Sequence, residues 1–257
     1  MRTFTTIADW LTYRESELAG QSIGFVPTMG ALHPGHLSLV ERSRSENDCT
    51  VVSIFINPTQ FNNPDDLRHY PRDIEQDQKQ LAAAGTDVVL LPDYAQLYGD
   101  NYRFRVTETE FSQLLCGASR PGHFDGVLTV VLKLLNIVRA DRTYFGEKDY
   151  QQFRLIKDMA QAFFLPTAIV PCPTIREADG LATSSRNLNL TPAERQLAPR
   201  FVHWLRAGKT IPDTIAGLQG DGFVVDFVED LAGRRYGAVF LGRVRLIDNI
   251  ELNQNGE

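Results

Sequence analysis

Seven consecutive residues, Thr50–Ile56 (TVVSIFI), are β-branched or apolar with a single serine among them. A strand of that make-up has no polar face to turn to water, so it needs cover on both sides. Helices give that cover to a parallel sheet, and the surrounding chain supplies them. Ser22–Pro27 reads as a strand and Pro34–Glu46 as a helix. Asp73–Ala84 reads as a polar helix ended by Gly85, and Asp87–Leu91 as a strand stopped by Pro92. His123–Val138 carries Val127, Val130, Val131, Leu134, Leu135 and Val138 on one helical stripe. Arg142–Phe145 reads as a strand, Lys148–Phe163 as a helix and Ala168–Val170 as a strand.

This alternation argues for the α/β class: a Rossmann-like, doubly wound parallel sheet with helices on both faces. Ligands in such sheets bind beyond the carboxyl ends of the strands. His33, Asn57 to Gln60, and Gly146 to Asp149 all fall just after expected strands, so they should converge. After Pro173 the texture changes. Thr174 to Leu190 is polar, Thr191 is placed to cap a helix opened by Pro192, and Pro199 should delay or bend that helix. Gly208, Pro212, Gly217, Gly220 and Gly222 follow, and Phe223 to Asp248 reads as two or three short strands. The expected division is residues 1–174 as the sheet domain and 175–257 as a smaller α+β domain hinged on it.

Composition excludes several classes. Hydrophobic residues at 43% and charged residues at 23% are ordinary for a globular protein. A net charge of −6 argues against a nucleic-acid partner. Three scattered cysteines form no disulfide framework and point to reduced thiols in the cytoplasm. The first residues, MRTFTTIADWLTYRESEL, lack the apolar core of a signal peptide. The most apolar stretch, Val127 to Val138, is broken by Lys133 and Asn136 and is too short to span a bilayer, so no membrane partner is expected.

The chemistry starts at PTMGALHPGHLSLV, Pro27 to Val40. His33 and His36, with Pro34 and Gly35 between them, sit where a strand turns into a helix. Free backbone N–H groups and the helix dipole both favour anions there, so the junction suits a polyphosphate. A zinc site would need three or four ligands, and Cys49, Cys116 and Cys172 are far apart. The H-x-G-H string resembles the HIGH motif of the class I aminoacyl-tRNA synthetase and nucleotidyltransferase superfamily.

Four further strings carry polar chemistry. NPTQF, Asn57 to Phe61, offers Gln60 as both donor and acceptor; alone it reads as a turn after Pro58. SRPGHFDGV, Ser119 to Val127, reads alone as a basic helix start. FGEKDYQQ, Phe145 to Gln152, puts Lys148 at a helix N-terminus, a poor place for a cation unless an anion is expected; alone it reads as a solvated surface. READGLATSSRN, Arg176 to Asn187, could wrap a triphosphate, since the guanidinium fork matches phosphate; alone it is a polar loop.

Together these strings resemble one family, the pantothenate synthetases (pantoate–β-alanine ligases). Its pattern reads PTMGALHxGH, SIFVNPMQF, YPR, RPxHFxGV, FGEKDYQQ, READGLAMSSRN and LIDN. This chain has PTMGALHPGH, SIFINPTQF, YPR (Tyr70 to Arg72), RPGHFDGV, FGEKDYQQ, READGLATSSRN and LIDN (Leu246 to Asn249). Order and spacing agree from about residue 20 to 200, and more loosely beyond. Thr59 and Thr183 stand where the family usually has Met, or at the second position Leu, and the segment between Gly208 and Tyr236 looks short for the family.

The resemblance implies ATP-dependent condensation of (R)-pantoate with β-alanine to pantothenate, AMP and diphosphate through a pantoyl adenylate, a step toward coenzyme A. It implies catalytic roles for His33, His36 and Lys148. The nucleotide would meet Met29, Gly30, Ala31, Leu32, Pro34 and Gly35, then Gly146, Glu147 and Asp149, then Ile175, Thr183, Ser184, Ser185 and Arg186. Gln60 and Gln152 would bind pantoate, with Gln60 close to β-alanine as well. Mg²⁺ should accompany ATP, with Asp77 the expected protein carboxylate beside it. A homodimer is the family habit. Two rivals differ in what they require. A nucleotidyltransferase for a phosphorylated acceptor needs basic groups around the acceptor, where this chain offers Gln60 and Gln152. A binding module without turnover would lack His36, Lys148 or Ser185, and none is missing.

Overall fold

The computed structural model describes residues 1–252. Six strands form one sheet: β1 (Arg2–Phe4), β2 (Ile23–Thr28), β3 (Cys49–Ile54), β4 (Val88–Leu90), β5 (Arg142–Gly146) and β6 (Ala168–Cys172). Their order is β1-β4-β3-β2-β5-β6, and each neighbouring pair is parallel. Every residue of β3 is buried, as its apolar run requires. From β2 the chain winds to β3 on one side, while β5 and β6 lie on the other. The order therefore reverses between β2 and β5, where such sheets open a ligand crevice.

The helix Pro34–Glu46 starts with Pro at its first position and His33 as its cap. Asp73 caps Ile74–Ala83, accepting from the Gln76 N–H at 2.9 Å. The helix His123–Val138 is buried along most of its length. The helix expected from Lys148 begins instead at Tyr150, after a 3₁₀ turn Glu147–Asp149. The carbonyls of Glu147 and Lys148 accept from Asn249, a residue far along the chain, in place of a regular first helical turn.

Two N-terminal elements were not expected. β1 pairs with β4, and the helix Ile7–Glu17 anchors through Trp10, fully buried with Nε1 donating to the Ile137 carbonyl at 2.9 Å. The helix has no other buried residue, so its stripe was too thin to read.

Beyond Pro173, Thr191 caps Pro192–Leu197 with a capping box, and Pro199 starts a separate helix, Arg200–Ala207, so the bend is a full break. The stretch holding Pro212, Gly217 and Gly220 is a helix, Ile211–Gly220. A Cβ at Gly217 would fall inside the Trp204 indole, so this glycine permits two helices to approach closely. Three antiparallel strands follow, β7 (Val224–Leu231), β8 (Arg234–Leu241) and β9 (Val244–Glu251). Their first turn has Ala232 and Gly233 at φ 49° and 77°, the pair of positive values that a tight hairpin favours. Two apolar clusters flank the parallel sheet, and a third, from Leu181 to Leu246, lies between the last helices and β7–β9. No helix among the described residues is long and apolar enough to cross a membrane.

Candidate active site

The loop leaving β2 takes two successive left-handed residues, Gly30 at φ 80° and Ala31 at φ 52°. The second costs about 1–3 kcal/mol in a residue with a Cβ. Asp77 holds it there: its Oδ2 accepts the Ala31 N–H at 2.9 Å and its Oδ1 the Leu32 N–H at 2.8 Å. A side chain at Gly30 would place a Cβ 2.8 Å from Asp77 Oδ2. Asp77 was expected beside a magnesium ion. It is instead 2% exposed, with both oxygens engaged by this loop, and does not line the cleft. Among the described residues no three His, Cys, Asp or Glu side chains are grouped to hold a metal.

The loop delivers the two histidines. His33 caps the following helix with its ring, Nδ1 accepting the Gly35 N–H at 3.1 Å. That bond leaves the proton on Nε2. The His33 and His36 ring centroids are 4.0 Å apart, their planes tilted by 33°. Burial, then the nearby Lys148 ammonium, push His33 down to about 4, against a smaller opposing pull from Asp149. Burial, then His33 and Lys148, push His36 down to about 3. Both rings are therefore neutral N–H donors near pH 7. His36 Nδ1 is buried without a hydrogen-bond partner.

The turn after β3 is built on Asn57, 1% exposed. Its Oδ1 accepts from Tyr98 Oη at 2.9 Å and from Thr59 Oγ1 at 3.0 Å. Its Nδ2 donates to Gln60 Oε1 at 3.0 Å and to the Gly126 carbonyl at 3.1 Å. Thr59 thus joins a polar network where the family pattern has an apolar side chain. The Gln60 carbonyl accepts from His123 Nδ1 at 2.8 Å, while Arg120 Nη1 donates to His123 Nε2 at 3.0 Å. Burial, then Arg120, hold His123 down at about 3. Asn57 fell within the Asn57–Gln60 segment expected at the site but without a role of its own; Tyr98 and His123 escaped that reading, His123 although it stood inside a noted string, and Tyr98 gave no signal.

From the turn after β5, Lys148, Asp149 and Gln152 reach a cleft of about 960 Å³, which Met29, Gln60, Ser184 and Arg186 also line. Gln151, beside Gln152, is structural: its Oε1 accepts the Cys116 N–H at 3.1 Å and its Nε2 donates to the Phe111 and Leu114 carbonyls. Arg120, Arg243 and Arg245 line the same space. Burial, then Arg186 and Arg245, lower the Arg120 guanidinium to about 10. Asp65, Asp66, Asp149, Asp226 and Asp248 line it too, and Lys148, Arg186 and Arg245 are each paired with one of them.

Arg176, at the head of READGLATSSRN, makes a bidentate pair with Asp248 of β9 at 2.6 and 2.9 Å. Thr183 Oγ1 donates to the Ile175 carbonyl at 2.6 Å, and a Cβ at Gly35 would stand 3.9 Å from Thr183 Cβ, so this loop lies over the helix start. Ser185 is buried, and Arg186 pairs with Asp66 at 3.2 Å. Leu32 faces the core rather than the cleft, and Ile175 contributes its carbonyl to Thr183. Gly146 closes β5, and Glu147 lies beside Lys148 in the turn.

The family model described as pantoate-beta-alanine ligase matches residues 1–251. A pantothenate synthetase from Bdellovibrio bacteriovorus is 53% identical over 90% of this chain and 92% of its own. One from Legionella pneumophila is 47% identical over 97% and 99%, so the compact C-terminal region fits a relative of nearly the same extent. A crystal structure of pantoate-beta-alanine ligase from Francisella tularensis, complexed with beta-gamma ATP and beta-alanine, superposes with a TM-score of 0.93 at 43% identity, covering 98% of this chain and 97% of that one. With a family model matched over residues 1–251 and agreement in sequence and fold over nearly its whole length, this chain belongs to the pantoate–β-alanine ligase family.

Proposed function

We propose that the chain condenses (R)-pantoate with β-alanine, using ATP, to give pantothenate, AMP and diphosphate. The observation that carries this reading is the meeting of the turns after β3 and β5 in one cleft that presents Lys148 and Arg186, with the histidine loop after β2 beside Lys148. A pantoate carboxylate oxygen attacks the ATP α-phosphorus; the bond to the bridging oxygen breaks and diphosphate leaves. The β-alanine amine then attacks the acyl carbon, and AMP leaves with the acyl oxygen. Neither step needs a protein nucleophile. The protein must hold one anion against another and stabilise charge developing on the phosphates.

Lys148 and Arg186 supply that charge, while Ser184 and Ser185 hold the β/γ end. His33 and His36 add neutral N–H donors, His33 through Nε2. Met29, Gly30, Ala31 and Gly35 shape the loop over the nucleotide, and Gly146 and Asp149 lie near the adenosine. Gln60, held by Asn57, binds pantoate with Gln152 and lies close to β-alanine. Mg²⁺ enters with ATP, carried on its phosphates. Residues 175–257 close over the cleft, a motion the Arg186–Asp66 pair across it would accompany. Three free cysteines, two of them buried, fit a cytoplasmic enzyme, and the family habit points to a homodimer.

Positional isotope exchange in ATP is the direct test. Exchange should appear with pantoate alone, before β-alanine is added. Exchange that requires β-alanine would overturn the adenylate order.

A further inference from the structure

Asn249 belongs to LIDN, a string that the chemistry above leaves without a task. It is buried on β9, and its side-chain amide is fully used. Nδ2 donates to two successive carbonyls, Glu147 at 2.8 Å and Lys148 at 3.0 Å. Oδ1 accepts from Arg234 Nη1 at 3.0 Å. Arg234 in turn covers the Tyr150 ring at 3.9 Å, at the first residue of the helix that follows the turn. A planar amide bound to two neighbouring carbonyls fixes both the place and the tilt of the Glu147–Asp149 turn. Lys148 is a long chain on that turn, so where its ammonium can reach depends on where its backbone is held.

We infer that Asn249 is a positioning residue for Lys148, acting on the reaction by placing this turn. The inference rests on the reading of Lys148 as a phosphate-binding cation. Small misplacements of a reacting group cost large factors in rate, and the loss of paired backbone acceptors predicts a fall of roughly tenfold in adenylation for Asn249→Ala. Pantoate KM should change much less, because the Asn249 side chain bonds to Glu147, Lys148 and Arg234 and to neither Gln60 nor Gln152.

The test is a double-mutant cycle on adenylation, read as diphosphate release with ATP and pantoate, on Asn249→Ala, Lys148→Ala and the pair. If Asn249 acts through Lys148, its loss costs no more than about twofold once Lys148 is gone. The same factor in both backgrounds would make Asn249 merely structural and overturn the inference while leaving Lys148 in place. A normal rate for folded Lys148→Ala would remove the reading of Lys148, and the inference with it. Should Asn249→Ala fail to fold, Asn249→Ser keeps one donor and gives the same cycle. ATP binding by calorimetry closes the cycle if the double variant turns over too slowly.

Discussion

The His33 and His36 ring centroids lie 4.0 Å apart with their planes tilted by 33°, and burial, with Lys148 near both, keeps the two rings uncharged. His33 is held near 4, and His36 and His123 near 3, against an ordinary value of 6.5. The unfolded chain therefore binds protons first as pH falls. Stability is full above about pH 6.5 and is lost from there toward pH 4 and below. Denaturant melts between pH 7 and 5 should show this decline, above the range where carboxylates titrate. With His36→Asn the slope should be about a third shallower. An unchanged slope would mean that the ring is not buried neutral.

Lys148→Ala and His36→Ala should each slow adenylation by roughly 10²–10³, the usual cost of one preorganised donor to developing charge. Diphosphate release under saturating ATP and pantoate measures it. A folded variant with a near-normal rate would remove that residue from the chemistry.

Gln151 and Gln152 are adjacent and should respond oppositely. Gln152→Ala should raise the pantoate KM roughly ten- to a hundredfold, with a smaller effect on ATP. Gln151→Ala leaves the part-buried Cys116 N–H without a partner and takes one of two donors from each of the Phe111 and Leu114 carbonyls, so it should lower stability by about 1–3 kcal/mol. Paired KM and melting measurements decide both; an ATP effect as large as the pantoate effect would displace Gln152 from the acid pocket.

Asp77→Asn should weaken the loop rather than a metal site. One oxygen becomes an NH₂ facing a backbone N–H, which costs about 1.5–3 kcal/mol. ATP KM should rise at every Mg²⁺ concentration. Full rescue by excess Mg²⁺ would return Asp77 to the metal.

Much of this was readable from local signals. Pro34–Glu46 and His123–Val138 begin and end where expected, because a Pro start and an apolar stripe are properties of the segment itself. The rest depends on partners distant in sequence. Lys148 lies in a 3₁₀ turn because Asn249 takes its carbonyl. Gly217 stands inside the helix Ile211–Gly220 because the Trp204 indole fills the space a side chain would take. Asp77 was read as a magnesium carboxylate because nothing local shows that the fold sets it under Ala31 and Leu32. Asn57 and His123 act through bonds to Gly126 and Gln60 that no spacing announces.

The adjacency of β2 and β5 also bears on how the molecule comes into being. The first link between them, the Ile23 N–H to Asp141, closes a separation of 118 residues. Contacts that distant form late, because the entropy of closing the loop must be met before they contribute. Until β5 docks, β2 is a bare sheet edge with its histidine loop facing no lysine. The crevice is therefore among the last parts of the sheet to assemble: pairing of β2, β3 and β4 alone leaves nowhere to bind a nucleotide.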